Sequence, residues 1–226
     1  MDIKINDIDV GLSGGCYSNH DEEIKKLSDE SQKIVKDKKI YRRFLEKQYN
    51  RVSSLEELVC GLPDKNEQIR VVTQKAFNAF AVFLWIQEKV NVEEMLLTSY
   101  RIDLSTAMGI EKLVKSGNVK KVTLVLSSFF TTARYKEPGA ELLKNLACED
   151  NRVTIFFCNN HTKILAVKTA DSKYYVVEGS GNLTGNSRIE QYLIEQSKET
   201  YDFHEDWIKN LDKNLKTKLI KKFYCD

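Results

Sequence analysis

Apolar positions along the chain follow two rhythms, and the change between them falls near residue 65. Within residues 21–49, Ile24, Leu27, Ile34, Tyr41 and Leu45 recur at spacings of three, seven, seven and four among charged neighbours. One narrow apolar stripe of that kind predicts a helix. Asp21, Glu22 and Glu23 at its start, with Arg42, Arg43 and Lys47 near its end, complement the helix dipole. Residues 54–59 read as a short capped helix stopped by Gly61-Leu62-Pro63. Beyond Pro63-Asp64-Lys65-Asn66 helices and strands alternate. A helix over 77–89 leads to a strand over 95–100, and a second helix over 105–116 ends at Ser116-Gly117-Asn118. Residues 121–127 form a β-branched run, hence a buried strand. A third helix over 138–148 precedes the strand 153–158. This alternation implies right-handed β-α-β units.

The rhythm then breaks. Residues 163–168 and 174–178 flank the polar stretch Ala170-Asp171-Ser172-Lys173 as a hairpin, and 189–194 is one more strand. Residues 200–222 close the chain as an amphipathic helix with Phe203, Trp207, Leu211 and Leu215 at repeats of four. The expected fold is α/β, a mixed, mostly parallel sheet flanked by helices on both faces. An N-terminal arm and charged helical extension occupy 1–65, and the main domain occupies 66–226. No internal repeat is visible, so any motif is present once.

Composition narrows the function class only modestly. The 226 residues are 42% hydrophobic and 30% charged with a net charge of +2, which fills a core but does not demand a nucleic-acid partner. Lys36, Lys38, Lys39, Arg42 and Arg43 form a local basic cluster, read either as a solvated helix face or as a phosphate-backbone contact. No run approaches the roughly 18 apolar residues of a membrane span, and residues 1–7 lack a signal-peptide core. Five scattered cysteines without a Cys-x-x-Cys pair argue against a disulfide framework or a zinc site. The expectation is a cytoplasmic protein with no membrane contact, no cofactor and no metal. The run Gly11-Leu12-Ser13-Gly14-Gly15 has no strand before it and is not a hydrolase elbow.

Of three histidines, His20 and His204 read as structural. His161 leads into a strand with Lys163 two residues on, so both side chains share one face of the sheet. A lysine beside an imidazole suits an anionic substrate, holding phosphate oxygens and lowering the imidazole pKa so that the ring stays nucleophilic. Gly179-Ser180-Gly181-Asn182 follows directly on a hydrophobic strand. Its glycines permit a tight turn, and Ser180 and Asn182 offer a hydroxyl and an amide to oxyanions above the strand ends.

Together these elements resemble the phospholipase D superfamily, whose motif is His-x-Lys followed after a spacer by Gly-Ser-x-Asn. Here the match is His161-Thr162-Lys163 and then Gly179-Ser180-Gly181-Asn182. The family's carboxylate after the Asn, which orients the histidine, falls on Glu190. The Asp expected five residues after the lysine is replaced by Lys168, with Asp171 nearby. The resemblance implies an α/β/α sandwich over about residues 70–210 and a metal-independent phosphodiesterase. Its catalytic residues are His161, Lys163, Asn182 and Glu190, and its phosphate ligands are Lys163, Ser180 and Asn182. The family uses two His-x-Lys motifs per site, so a single copy implies a homodimer with two His161 rings facing each other. Short single-motif members resemble nucleases, which makes DNA the expected substrate, with RNA behind it. The alternatives are an inactive nucleic-acid or phosphate-binding module and a phospholipase.

Overall fold

Consecutive residues of the central strands divide between two apolar layers. The computed structural model describes residues 41–47, 59, 61–74, 78–132, 135–185, 188–213 and 221–222. Strands β1 (Tyr41–Lys47) and β2 (Glu67–Gln74) precede helix α1 (Ala79–Lys89) and strand β3 (Val92–Ser99). Helix α2 (Leu104–Lys115), strand β4 (Lys121–Ser127) and the two-residue strands β5 (Thr131–Thr132) and β6 (Tyr135–Lys136) come next. Helix α3 (Pro138–Glu149) leads to β7 (Val153–Cys158), β8 (Ile164–Thr169), β9 (Tyr174–Gly179) and β10 (Ile189–Gln196). Helix α4 (Lys198–Lys213) and β11 (Lys221–Lys222) follow.

Nine of these strands form one sheet in the order β1-β2-β10-β9-β8-β3-β4-β7-β11. The pairs β1–β2, β3–β4 and β4–β7 are parallel and the other neighbours antiparallel. It follows that β1, β2, β9, β3, β4 and β7 run one way, against β10, β8 and β11. The sheet is mixed with most strands in one direction, as the alternating sequence pattern predicts.

Met95, Leu97, Leu124, Ile155, Leu165, Val177 and Ile194 face the larger apolar layer, which contains the buried faces of α1, α2 and α3. Their sequence neighbours Leu96, Val125, Phe156, Ala166 and Val176 face the other side, where Tyr201 and Ile208 of α4 cover them. Period-two alternation in strands buried on both faces gives this three-layer arrangement. Asn78 and Asp103 cap α1 and α2 by accepting from the amides of Ala81 and Thr106 at 3.0 and 2.8 Å.

Three sequence expectations change. Residues 41–47 belong to a strand, because Tyr41 to Lys47 pair in register with Glu67 to Thr73 and satisfy the backbone of β2 on its open side. The seven- and four-residue spacings to Tyr41 and Leu45 therefore do not mark a helix there. The rest of the expected helix, the 1–20 arm, His20 and residues 54–58 lie outside the described residues; Val59 is helical and buried. The last helix ends at Lys213, and Lys221–Lys222 instead pair with Phe156 and Phe157, closing part of the edge of β7. Cys148 is disulfide-bonded, so the cysteines are not all free thiols.

Candidate active site

Strand direction brings the motif to one edge of the sheet. Strands β3, β4, β7 and β9 end there, while β8 and β10, running oppositely, begin there. Ligand sites of α/β sheets form outside such strand ends, where loops can vary without disturbing the core. Residues 159–163 connect β7 to β8 and residues 180–188 connect β9 to β10. The backbone joins the two loops, since the Gly179 amide donates to the Lys163 carbonyl at 3.2 Å.

His161 is exposed and Lys163 partly buried. Lys163 Nζ lies 2.8 Å from His161 Nδ1 and 2.5 Å from the His161 carbonyl oxygen. Among the described residues Nε2 of His161 has no hydrogen-bond partner. Burial lowers the Lys163 pKa, and the nearby Glu190 carboxylate pulls it partly back up. The Tyr100 ring packs against the imidazole at 5.0 Å between centroids.

The second loop is shaped by Tyr192. A Cβ on Gly181 would come within 2.1 Å of the Tyr192 hydroxyl, and one on Gly179 within 2.4 Å of the Gln191 carbonyl. Neither glycine has a positive φ, so close approach rather than turn conformation excludes a side chain at both. Ser180 Oγ donates to Glu190 and accepts from the Gln191 amide at 3.0 Å. The serine hydroxyl is thus turned toward the carboxylate, whereas the sequence reading aimed it at oxyanions and aimed Glu190 at His161. Asn182 Oδ1 lies 3.4 Å from Ser99 Oγ, which leaves its Nδ2 group without a hydrogen bond among the described residues.

Buried polar residues that the motif does not contain hold both loops. Ser99 ends β3 fully buried; its Oγ donates to the Arg101 carbonyl at 2.5 Å and accepts from the Leu183 amide at 3.0 Å. Asn160 is buried and donates through Nδ2 to the carbonyls of Ser99 and Val125 at 3.2 and 3.1 Å. Its Oδ1 accepts from the amide and hydroxyl of Thr162 at 3.0 and 2.7 Å. With its one proton on Asn160, the Thr162 hydroxyl accepts from Thr98 Oγ1 at 2.7 Å. His161 and Lys163 therefore flank a residue pinned on two sides. Only the placement of Asn160 next to His161 and of Ser99 at a strand end could have signalled these roles.

The remaining candidates lie elsewhere. Lys168 pairs with Glu94 at 2.7 Å on the face covered by α4, and Asp171 pairs with Lys173 at 3.0 Å in the hairpin turn. Neither occupies the site edge. His204 is buried, bonded to Glu178 at 2.8 Å and accepting from Trp207 Nε1 at 3.0 Å, a structural arrangement. Among the described residues no group of three or more His, Cys, Asp or Glu could hold a metal ion, and no helix is long and apolar enough to cross a membrane.

Fold and site define an α/β/α sandwich whose sheet edge gathers an imidazole, an ammonium and a carboxamide. No family model and no curated protein matches the chain. Among solved structures it is similar to polyphosphate kinase from Porphyromonas gingivalis, at TM-score 0.49 and 16% identity over 64% of this chain and 26% of that one. Phosphatidylserine synthase from Haemophilus influenzae gives 0.44 and 13% over 73% and 42%. Yeast tyrosyl-DNA phosphodiesterase gives 0.31 and 13% over 48% and 27%. The chain thus spans less than half the length of each, and the chemical reading rests on its own residues.

Proposed function

We propose that the chain is a metal-independent phosphodiesterase of phospholipase D type, acting on DNA or RNA through a phosphohistidine. One observation carries the reading. At one sheet edge His161 Nε2, Lys163 Nζ and Asn182 Nδ2 keep hydrogen-bonding capacity that no described residue uses. A nucleophile beside a cation and an amide donor fits a phosphodiester anion.

In the proposed cycle the Nε2 lone pair of one His161 attacks phosphorus and the P–O bond to the leaving group breaks. The His161 of a second subunit protonates the leaving oxygen. Water attacks the phosphohistidine, its proton passes to that second ring, and the P–N bond breaks. Lys163 and Asn182 hold the non-bridging oxygens. Glu190 fixes Ser180 and with it the turn that presents Asn182. Nucleophilic Nε2 must carry no proton, so the ring proton has to move to Nδ1, which in the structure accepts from the ammonium of Lys163. Substrate phosphate drawing Lys163 away from Nδ1 completes the working state.

The test is cleavage of single-stranded and duplex DNA, RNA and bis(p-nitrophenyl) phosphate in EDTA. Quenching in alkaline denaturant should trap a base-stable, acid-labile phosphoprotein that His161→Ala abolishes. Binding of the same nucleic acids without turnover, unaffected by His161→Ala, would assign the chain to the binding-module alternative.

A further inference from the structure

Phosphate recognition uses donors and cations, yet the flank of this site is aromatic. Tyr100 follows β3 directly and its ring lies 5.0 Å from His161 at 47°. Phe129 stacks on Tyr100 at 6.3 Å and 25°, and is 45% exposed. Both separations lie within the 4.5–7 Å range of paired rings, so Tyr100 links the exposed Phe129 to the candidate nucleophile in one row of contacts.

The row is held in place. Phe129 lies in a short 3-10 turn at the end of β4, its amide bonded to the buried Ser127 hydroxyl at 3.3 Å. Tyr100 is fixed from the other side by the segment that follows it. Arg101 binds Glu137 at 3.2 Å, and Glu137 also accepts from the Ile102 amide at 3.3 Å. Exposed aromatic surface presented on such fixed turns is pre-organised to stack.

We propose that Tyr100 and Phe129 are a stacking platform for a base of single-stranded nucleic acid whose phosphate is seated at His161. This rests on the phosphodiester reading of the site and specifies its substrate. Bases inside a duplex already stack on each other and cannot lie on a protein ring; unpaired bases can, whatever their identity. An acyl chain is the other occupant a ring could take. The edge around the row carries exposed Arg101, Asn159 and Ser180, a polar setting that favours a nucleotide over a lipid tail.

The test compares a phosphorothioate-linked oligothymidylate with an abasic oligomer of equal length and charge, by fluorescence anisotropy, alongside cleavage of the unmodified strands. The protein should bind the thymidylate about tenfold more tightly or better. Phe129→Ala should reduce that preference to about twofold or less by weakening thymidylate binding, and Phe129→Trp should keep it. Equal affinity for the two strands, or a preference that survives Phe129→Ala unchanged, overturns the platform. Phe129-dependent binding to anionic phospholipid vesicles without any base preference overturns it too. Base preference without cleavage of any strand leaves the platform standing and removes the catalytic reading.

Discussion

Nζ of Lys163 stands 2.8 Å from Nδ1 of His161, and because an ammonium only donates, the ring nitrogen facing it is the acceptor. In the proposed cycle activity depends on Lys163 being charged and able to turn to substrate. Lys163→Met should lower kcat/KM by about 100-fold or more, the scale of a lost oxyanion donor.

In that cycle the same pair should set the alkaline limit. Burial lowers the Lys163 pKa and Glu190 raises it in part, so the charged form is lost below the ordinary lysine value of 10.5. Activity should fall on the alkaline side below that value. Glu190→Gln keeps an acceptor for Ser180 but removes the raising influence, so the alkaline limb of kcat/KM should move to lower pH. A limb that stays in place or moves upward shows that another group controls it.

Asn160 makes two donated and two accepted hydrogen bonds while buried. Asn160→Ala orphans two carbonyls and an amide and should cost about 2–4 kcal/mol in urea unfolding. Its exposed neighbour Asn159 is the control: Asn159→Ala should change stability by less than ~0.5 kcal/mol. Equal effects at the two positions would mean that Asn160 does not pin the loop.

What could be read from sequence divides by range. His161-x-Lys163 and Gly179-Ser180-x-Asn182 are local, and each lies beside a strand that its own apolar run announces. Strands β4 and β7 were legible to the residue for the same reason. Ser99, in contrast, reaches Asn160 across 61 positions and Leu183 across 84, contacts that exist only once β3, β8 and β9 are neighbours. The partner of Glu190 was hidden in the same way, because it depends on how β9 and β10 turn at the site edge. Strand β2 carries an alternating pattern, with Ile69 and Val71 buried and Arg70 and Val72 exposed, but its polar residues obscured it.

Gly181 is required by Tyr192, and the requirement is testable as a coupling. Gly181→Ala places a methyl against the Tyr192 hydroxyl and should destabilise the fold by about 1–3 kcal/mol. Tyr192→Phe removes the atom at 2.1 Å but leaves Cζ at 2.9 Å, so it should relieve only part of the loss. The cycle should show a favourable coupling of at least ~0.5 kcal/mol; simple additivity would show that the two do not meet.

The proposed sharing of the site between two subunits makes a quantitative prediction about mixtures. If each active site takes one His161 from each subunit, a dimer of one unaltered chain and one His161→Ala chain lacks either the nucleophile or the acid. Co-refolding equal amounts of the two gives about a quarter of dimers with both histidines, by random pairing. Specific activity per total chain should then be about a quarter of the unmixed value, and should follow the square of the unaltered fraction across a titration. A chain that works alone gives about half at equal mixing and a straight line. Differently tagged chains, separated by affinity steps, allow the mixed dimer to be assayed directly. It should bind nucleic acid, because Lys163 and Asn182 are intact in both chains, yet fail to turn over. Turnover by the purified mixed dimer would show that one His161 suffices and would remove the two-histidine mechanism.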